Sequence, residues 1–260
     1  MILAPINAIT SVNFYKKVST QSLGRTFGYL VYLSVLFSLV LTVMLRVRVW
    51  PVLQGTFNWM GTSVPVITYA NGRLSTPTNE RLVLRYPALP QIAVILDTAR
   101  TAPVTAQEMA DAKVMAYATA SAIHVLKGAG QVEVYDLSKG PAKPFVLDDK
   151  FYRELARNLS RLLYPAGFAA CFVVFFLWKS LAALFYSCIG LIINGVSEAG
   201  LEYKSLFSLS AYAQTLLIAV QAIMLFVPAH IPFFPVLAVA ATGTYLWLAI
   251  RTNAPPSPAA

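Results

Sequence analysis

The sequence predicts an α-helical membrane protein with four transmembrane helices and a small α+β extracytoplasmic domain inserted between helices 1 and 2. Three observations carry this prediction. Apolar residues make up 57% of the chain and charged residues only 12%, against about 25% charged in ordinary soluble domains. The apolar residues gather into blocks long enough to cross a bilayer. Between the first two blocks lies one polar stretch, residues 46–161, which holds 14 of the 20 basic and 9 of the 11 acidic side chains.

Residues 1–25 read as an amphipathic interfacial segment, with Ile2, Ile6, Ile9 and Phe14 on one side and Lys16 and Lys17 beside them. The first span covers 26–45. Its uncharged run lies between Arg25 and Arg46, and at about 1.5 Å per residue it nearly matches a hydrocarbon core of about 30 Å. That run is too long for a cleaved signal sequence. Leu45 to Trp50, "LRVRVW", then reads as a basic and aromatic membrane edge.

The second span, 162–194, is interrupted only by Lys179 and is longer than one crossing requires. Residues 195–209 form the expected cytoplasmic loop. Residues 210–250 hold the third and fourth spans as a hairpin around the link "VPAHIPFFP", 227–235. The tail, 251–260, is rich in Pro and Ala and reads as disordered. Four crossings place both termini on one side. Charge does not decide which side, because basic residues flank the first span at both ends and long loops translocate regardless of charge. The termini are read as cytoplasmic.

Within 46–161 the local signals alternate between strand and helix. Asn71-Gly72 sits between β-prone runs, a strong hairpin signal because both turn residues must accept positive φ. "LVLRY" (82–86) and "IAVILDT" (92–98) read as further strands. Thr105 followed by Glu108 forms a capping box that opens a helix expected to reach Tyr117. A second hairpin is expected around Gly128 and Gly130. Asp148 is the expected N-cap of a helix that runs on towards the second span and bends at Pro165.

Signs of catalysis are sparse. Cys171 and Cys188 lie 17 residues apart in one span, about 25 Å along a helix, too far to pair. His124 and His230 have no metal-ligand spacing to another ligand. Asp97 and the Asp148-Asp149 pair are explained by turn and cap roles. No phosphate-binding glycine loop, GxSxG or HExxH occurs. The reading is therefore of a non-enzyme with no catalytic, cofactor or metal residues. The scattered basic residues match no nucleic-acid-binding motif, so no nucleic acid is expected as a partner.

The polar residues inside the spans are the candidates for function. Lys179 is the one charge in the second apolar run. Snorkelling towards the near membrane surface is the simpler placement. The alternative is burial against an amide, a carbonyl, a lipid phosphate or another subunit's carboxylate, where a charge costs at least about 2.5 to 3.5 kcal/mol unless paired. Ser180, Ser187 and Asn194 recur every seven residues on the same helix, and Gln214 and Gln221 do so on the next. Each set makes one inward stripe, suited to helix packing or to a polar path. Lys179, Ser187, Asn194, Gln214 and Gln221 are thus the candidate intramembrane contacts. The apolar surplus beyond Lys179 is expected to be covered by the N-terminal segment and the 195–209 loop.

Four stretches carry a family resemblance: "NFYKK" (13–17), "NGRL" (71–74), "VILDT" (94–98) and "LFSLSAYAQTLL" (206–217). On these the chain resembles the bacterial membrane proteins grouped as domain-of-unknown-function family 1189. The resemblance implies a four-span inner-membrane protein with one extracytoplasmic domain. Some relatives carry a maltodextrin-utilisation label, which implies a sugar-uptake context and assigns no residue a role. Two functions follow as expectations. The first is a non-enzymatic scaffold, interaction or sensor subunit in contact with membrane lipid and with a membrane-protein partner or a second copy of itself. The second is a small transporter or an accessory subunit of solute uptake.

Overall fold

The computed structural model describes residues 3–78, 80–90, 92–127, 130–140, 143–227 and 231–254. His230, Ile2, Gly128 at the second hairpin turn and the tail from residue 255 lie outside the described residues. The chain divides into two compact units, Met1–Val47 with Leu163–Ala260, and Arg48–Leu162. Among the described residues, four helices are long and apolar enough to cross a membrane: Leu23–Ser63, Asp149–Ser197, Tyr203–Met224 and Phe234–Asn253.

The first unit is helical. It contains α1 (Ala4–Thr10), α2 (Phe14–Ser19), α3 (Leu23–Met44), the later part of α6 (Asp149–Ser197), α7 (Tyr203–Ala213), α8 (Thr215–Met224) and α9 (Phe234–Asn253). On α3, Thr26, Tyr29, Leu30, Leu33, Ser34 and Ser38 are buried, the spacing of one helical face. Its hydroxyls are satisfied locally or across helices. Ser34 and Ser38 donate to carbonyls four residues back, whereas Thr26 bonds Ser208 at 2.7 Å and Tyr29 bonds Thr215 at 2.7 Å. The Tyr29 and Tyr212 rings stack with centroids 3.7 Å apart.

At the centre of this unit is α7, where every residue from Ser205 to Ala213 is buried. The sequence reading placed 195–209 in a loop; α6 runs to Ser197 and α7 begins at Tyr203, so the stretch between the helices is residues 198–202. Two serines of α7 are packed and paired: Ser205 donates to the Ser19 carbonyl at 2.6 Å, and Ser208 meets Thr26. A polar residue whose partner is fixed nearby carries little of the burial penalty that a hydropathy scale assigns it.

The N-terminal segment also differs from expectation. In place of one interfacial helix it forms α1 and α2, with Tyr15 and Val18 each 1% exposed. The Tyr15 hydroxyl donates to the Ala8 carbonyl at 2.8 Å, and burial holds its pKa well above the usual phenol range. These helices lie on α7, α8 and α9. Tyr245 donates to the Ile9 carbonyl, and Ser19 donates to Asn253, which belongs to α9 rather than to a disordered tail. The expected cover over α6 is therefore only partial. Tyr186, Ile189 and Ile193 join the core around α7, while Leu181, Phe185, Ile192 and Val196 stay exposed.

The second unit is α+β. It holds α4 (Trp50–Ser63), β1 (Ile67–Ala70), β2 (Arg73–Ser75), β3 (Leu82–Arg85), β4 (Ala93–Leu96), α5 (Ala106–Asp111), β5 (Ala116–Ala118), β6 (Ala122–Lys127), β7 (Gln131–Asp136) and β8 (Phe145–Leu147). One sheet has the order β2-β1-β8, and the other β3-β4-β5-β6-β7 with only β4 and β5 parallel. Where the sequence suggested a membrane edge at 45–50, a π-helical turn, Leu45–Val49, leads into α4. Pro51 follows this turn inside a continuous helical run, Leu23–Ser63, and the widened turn is a known accommodation of the irregularity that proline's ring and missing N–H impose.

Asn71 and Gly72 have φ of 51° and 76° and close the β1–β2 hairpin as expected. Asp148 caps α6 through the Phe151 N–H at 2.7 Å, also as expected, and the helix continues through Pro165. The helix from Thr105 stops at Asp111 instead of reaching Tyr117. Lys113 turns to φ 53°, and residues 116–118 become a strand held between β4 and β6. Backbone bonding to two neighbours outweighs the helical pattern there.

A Cβ on Gly72 would lie 2.9 Å from the Ser138 Cα, in addition to the positive φ. Gly72→Ala is expected to destabilise the second unit by about 1 kcal/mol or more, read as a lowered melting temperature of the full chain. Asn71→Gly, which keeps the turn, is the control and should leave it unchanged.

Candidate functional site

The functional residues come together along the inner face of α6. Its buried positions Phe175, Lys179, Ala183, Tyr186, Ser187 and Gly190 follow the three- and four-residue steps of one helix face. Lys179 is 3% exposed. In place of the snorkelling expected, its position falls on this inward face, and the Cα–Cβ direction turns the side chain back along α6 towards Phe175. Its ammonium donates to Gln221 Oε1 at 2.9 Å and lies 5.2 Å from the centroid of the Phe175 ring.

Gln214, fully buried between α7 and α8, completes the cluster. Its amide nitrogen donates to the Ser210 and Lys179 carbonyls at 3.3 and 3.4 Å. Two carbonyl acceptors fix which end of the amide is nitrogen, and Oε1 is left without a hydrogen-bond partner among the described residues. Of the five candidates, Lys179, Gln214 and Gln221 are brought together.

Ser187 and Asn194 serve the same helix pair elsewhere. Ser187 donates to the Leu184 carbonyl, and its hydroxyl lies 3.0 Å from that of Tyr203, at the start of α7. Asn194 donates to the Leu201 carbonyl and accepts from the Leu201 N–H at 3.1 and 3.0 Å. This double bond closes the corner in which Glu198 and Gly200 take positive φ. The expected stripe is therefore a row of clasps from α6 to α7 and α8. Ser180, read as part of that stripe, has a buried hydroxyl without a partner among the described residues.

Beside the Lys179 cluster is a cavity of about 770 Å³ between α6, α8 and α9. Lys179, Gln214 and Gln221 contribute its polar part, and the rest of its wall is aliphatic and aromatic. Trp178, Leu181 and Phe185 line it and are 60 to 64% exposed, so it opens on the outer surface of the helical unit. A second cavity of about 350 Å³ is lined by Lys179, Gln221, Phe37 and Phe175. Lys179 and Gln221 form part of the wall of both. The sequence reading missed the cavity-lining Tyr203 by placing it in a loop, and Phe175, four residues before Lys179, is the one neighbour that helical spacing points to.

The family model for the protein of unknown function DUF1189 matches residues 6–250. The chain belongs to the DUF1189 family. Comparison with the curated proteins and with the solved structures finds no match. In this DUF1189 protein the four stretches singled out in the sequence fall on α2, the β1–β2 turn, the end of β4, and α7 with the start of α8, including Gln214.

The second unit holds a separate polar cluster. Arg100 pairs with Glu108 and also donates to Tyr117 and to the Ala102 and Pro103 carbonyls, so its five N–H groups are all used. Glu108 thus gives its backbone N–H to the Thr105 cap while its carboxylate holds Arg100, which keeps that carboxyl below the usual range. Tyr117 donates to Asp97 at 2.9 Å. The network fastens the segment between β4 and α5. Nearby His124 is buried, and burial together with the Arg100 charge lowers its pKa.

Two outcomes follow from this geometry. Asn194→Ala should cost about 1–3 kcal/mol, lowering the detergent-solubilised melting temperature, and Asn194→Asp should also fail to restore it because it cannot donate to Leu201. Burial and the Arg100 charge disfavour the protonated form of His124 in the fold, so its unfolded form takes up a proton first as pH falls below the ordinary 6.5. Stability is therefore present above that pH and is lost on acidification. A melting temperature that falls between about pH 7.5 and about pH 5.5, and falls less in His124→Gln, is the expected result.

Proposed function

We propose that this DUF1189 protein is a multi-pass protein of the bacterial inner membrane, with both termini cytoplasmic and the α+β unit outside. It works there as a non-enzymatic recognition subunit, a scaffold or sensor that binds a membrane partner. The observation that carries this reading is the Lys179–Gln221–Gln214 cluster in the wall of a cavity that opens between exposed apolar side chains. Packing alone does not call for a lysine at such a place, since an apolar residue there would avoid the cost of a buried charge. A cation kept beside an open, apolar cavity is suited to meeting a group that arrives from the membrane. The exposed face of α6 offers the surrounding contact area.

One observation favours the alternative, a transporter or accessory of solute uptake: Lys179 and Gln221 border two cavities at once. A polar pair between two cavities is a natural constriction on a path. The two readings separate in one experiment. In Lys179→Ala, the recognition reading expects markedly weaker recovery of co-purifying membrane proteins after gentle detergent extraction, with solute flux in vesicles unchanged. The reverse pattern would favour transport, and wild-type behaviour in both would overturn the role given to Lys179. Single cysteines at Arg100 or Lys139 that react with an impermeant thiol reagent added to intact cells would support the sidedness, and protection of both would overturn it.

A further inference from the structure

The cavity beside Lys179 has a chemical character of its own. Its cation is met by a neutral amide and the Phe175 ring and by no carboxylate: among the described residues the ammonium donates one hydrogen bond, to Gln221, and forms no ion pair. An ammonium has three N–H donors, so two remain for an incoming oxygen. Gln214 Oε1, fully buried and held in place by the two bonds of its own amide nitrogen, lacks a partner in the same wall. Most of the remaining wall is apolar, with the Tyr186 and Tyr203 rings and Cys188 among it, and the mouth at Trp178, Leu181 and Phe185 faces outward from the helical unit. At about 770 Å³ the cavity falls within the range of roughly 300 to 1,000 Å³ that receives one small molecule.

We infer that this cavity binds a single-chain anionic amphiphile, its headgroup oxygen on the Lys179 ammonium and its acyl chain along the aromatic and aliphatic wall between α6 and α9. The inference rests on the membrane reading above, because the ligand enters sideways from the bilayer. Charge selects the headgroup. A cation in an apolar surround attracts an anion far more strongly than it does in water, and a neutral head of equal size leaves the mismatch in place. Shape selects the tail, because the opening is flanked by large apolar side chains.

The test uses the full chain in nanodiscs of neutral phosphatidylcholine and a long-chain fatty acid carrying a photoreactive diazirine. Labelling is expected to saturate and to map to the segments around Leu181 and Ala238, both in the cavity wall. Unlabelled oleate should compete. Oleyl alcohol, of the same length without the charge, should not, and neither should acetate or inorganic phosphate, which supply the charge without the chain. Lys179→Gln is expected to lose labelling by about tenfold or more, the scale of one charge-assisted contact. Lys179→Arg should retain it, and Ala238→Phe, which fills the cavity and leaves the lysine intact, should lose it.

Equal competition by oleyl alcohol, or undiminished labelling in Ala238→Phe, would overturn the inference even if Lys179→Gln fails to fold. Competition by acetate or phosphate alone would point to a soluble anion and overturn it as well. Should complex recovery depend on Lys179 while oleate competes with nothing, the inference falls and the recognition reading stands. Oleate-sensitive labelling with complex recovery indifferent to Lys179 would leave the ligand site and remove the partner role.

Discussion

A polar group enclosed by apolar helices has few places to go. Water is out of reach, the backbone of its own helix is already bonded, and an unpaired donor or acceptor is costly. In this chain that constraint organises the helical unit. Asn194 reaches Leu201, Ser187 reaches Tyr203, Lys179 reaches Gln221, and Gln214 returns a bond to the Lys179 carbonyl. These contacts set how α6 meets α7 and α8. Apolar packing alone leaves helices freer to slide and rotate, whereas paired polar groups specify one register.

The same constraint explains why α7 is both the most enclosed element and one of the less hydrophobic. Two of its serines, Ser205 and Ser208, are partners for Ser19 and Thr26, so their polarity is used inside the fold. Tyr212 adds a stacked ring against Tyr29, and Thr215, one residue into α8, takes the Tyr29 hydroxyl. Side chains that look suited to a loop become the inner surface on which α2, α3 and α9 close. The cavity beside Lys179 lies at the edge of this core, next to a cluster that is rigid on one side and open on the other.

Much of this was legible in the sequence because it rests on local rules. The four apolar helices follow from length and hydropathy, the β1–β2 hairpin from Asn71-Gly72, the cap from Asp148, and the inward stripe from a seven-residue recurrence. Gln was among the partners considered for Lys179, although snorkelling was the simpler placement. What escaped depended on contacts distant in sequence. Residues 116–118 are a strand only because β4 and β6 flank them. The start of α7 is a helix only because distant hydroxyls and carbonyls meet its serines. The cavity itself arises from three helices, and no single stretch of sequence outlines it.

The pairing of α1 and α2 with α9 has a consequence for how the protein is made. Tyr15 and Val18 are covered, Ile9 is bonded to Tyr245, and Ser19 to Asn253. Asn253 follows Ser19 by 234 residues, so the N-terminal helices leave the ribosome well before α9 is made. Those helices must therefore wait, bound to something else or uncovered, until α9 follows them. The helical unit completes itself only once α9 is in place, which leaves an interval during biogenesis when a chaperone or insertion factor can hold α1 and α2.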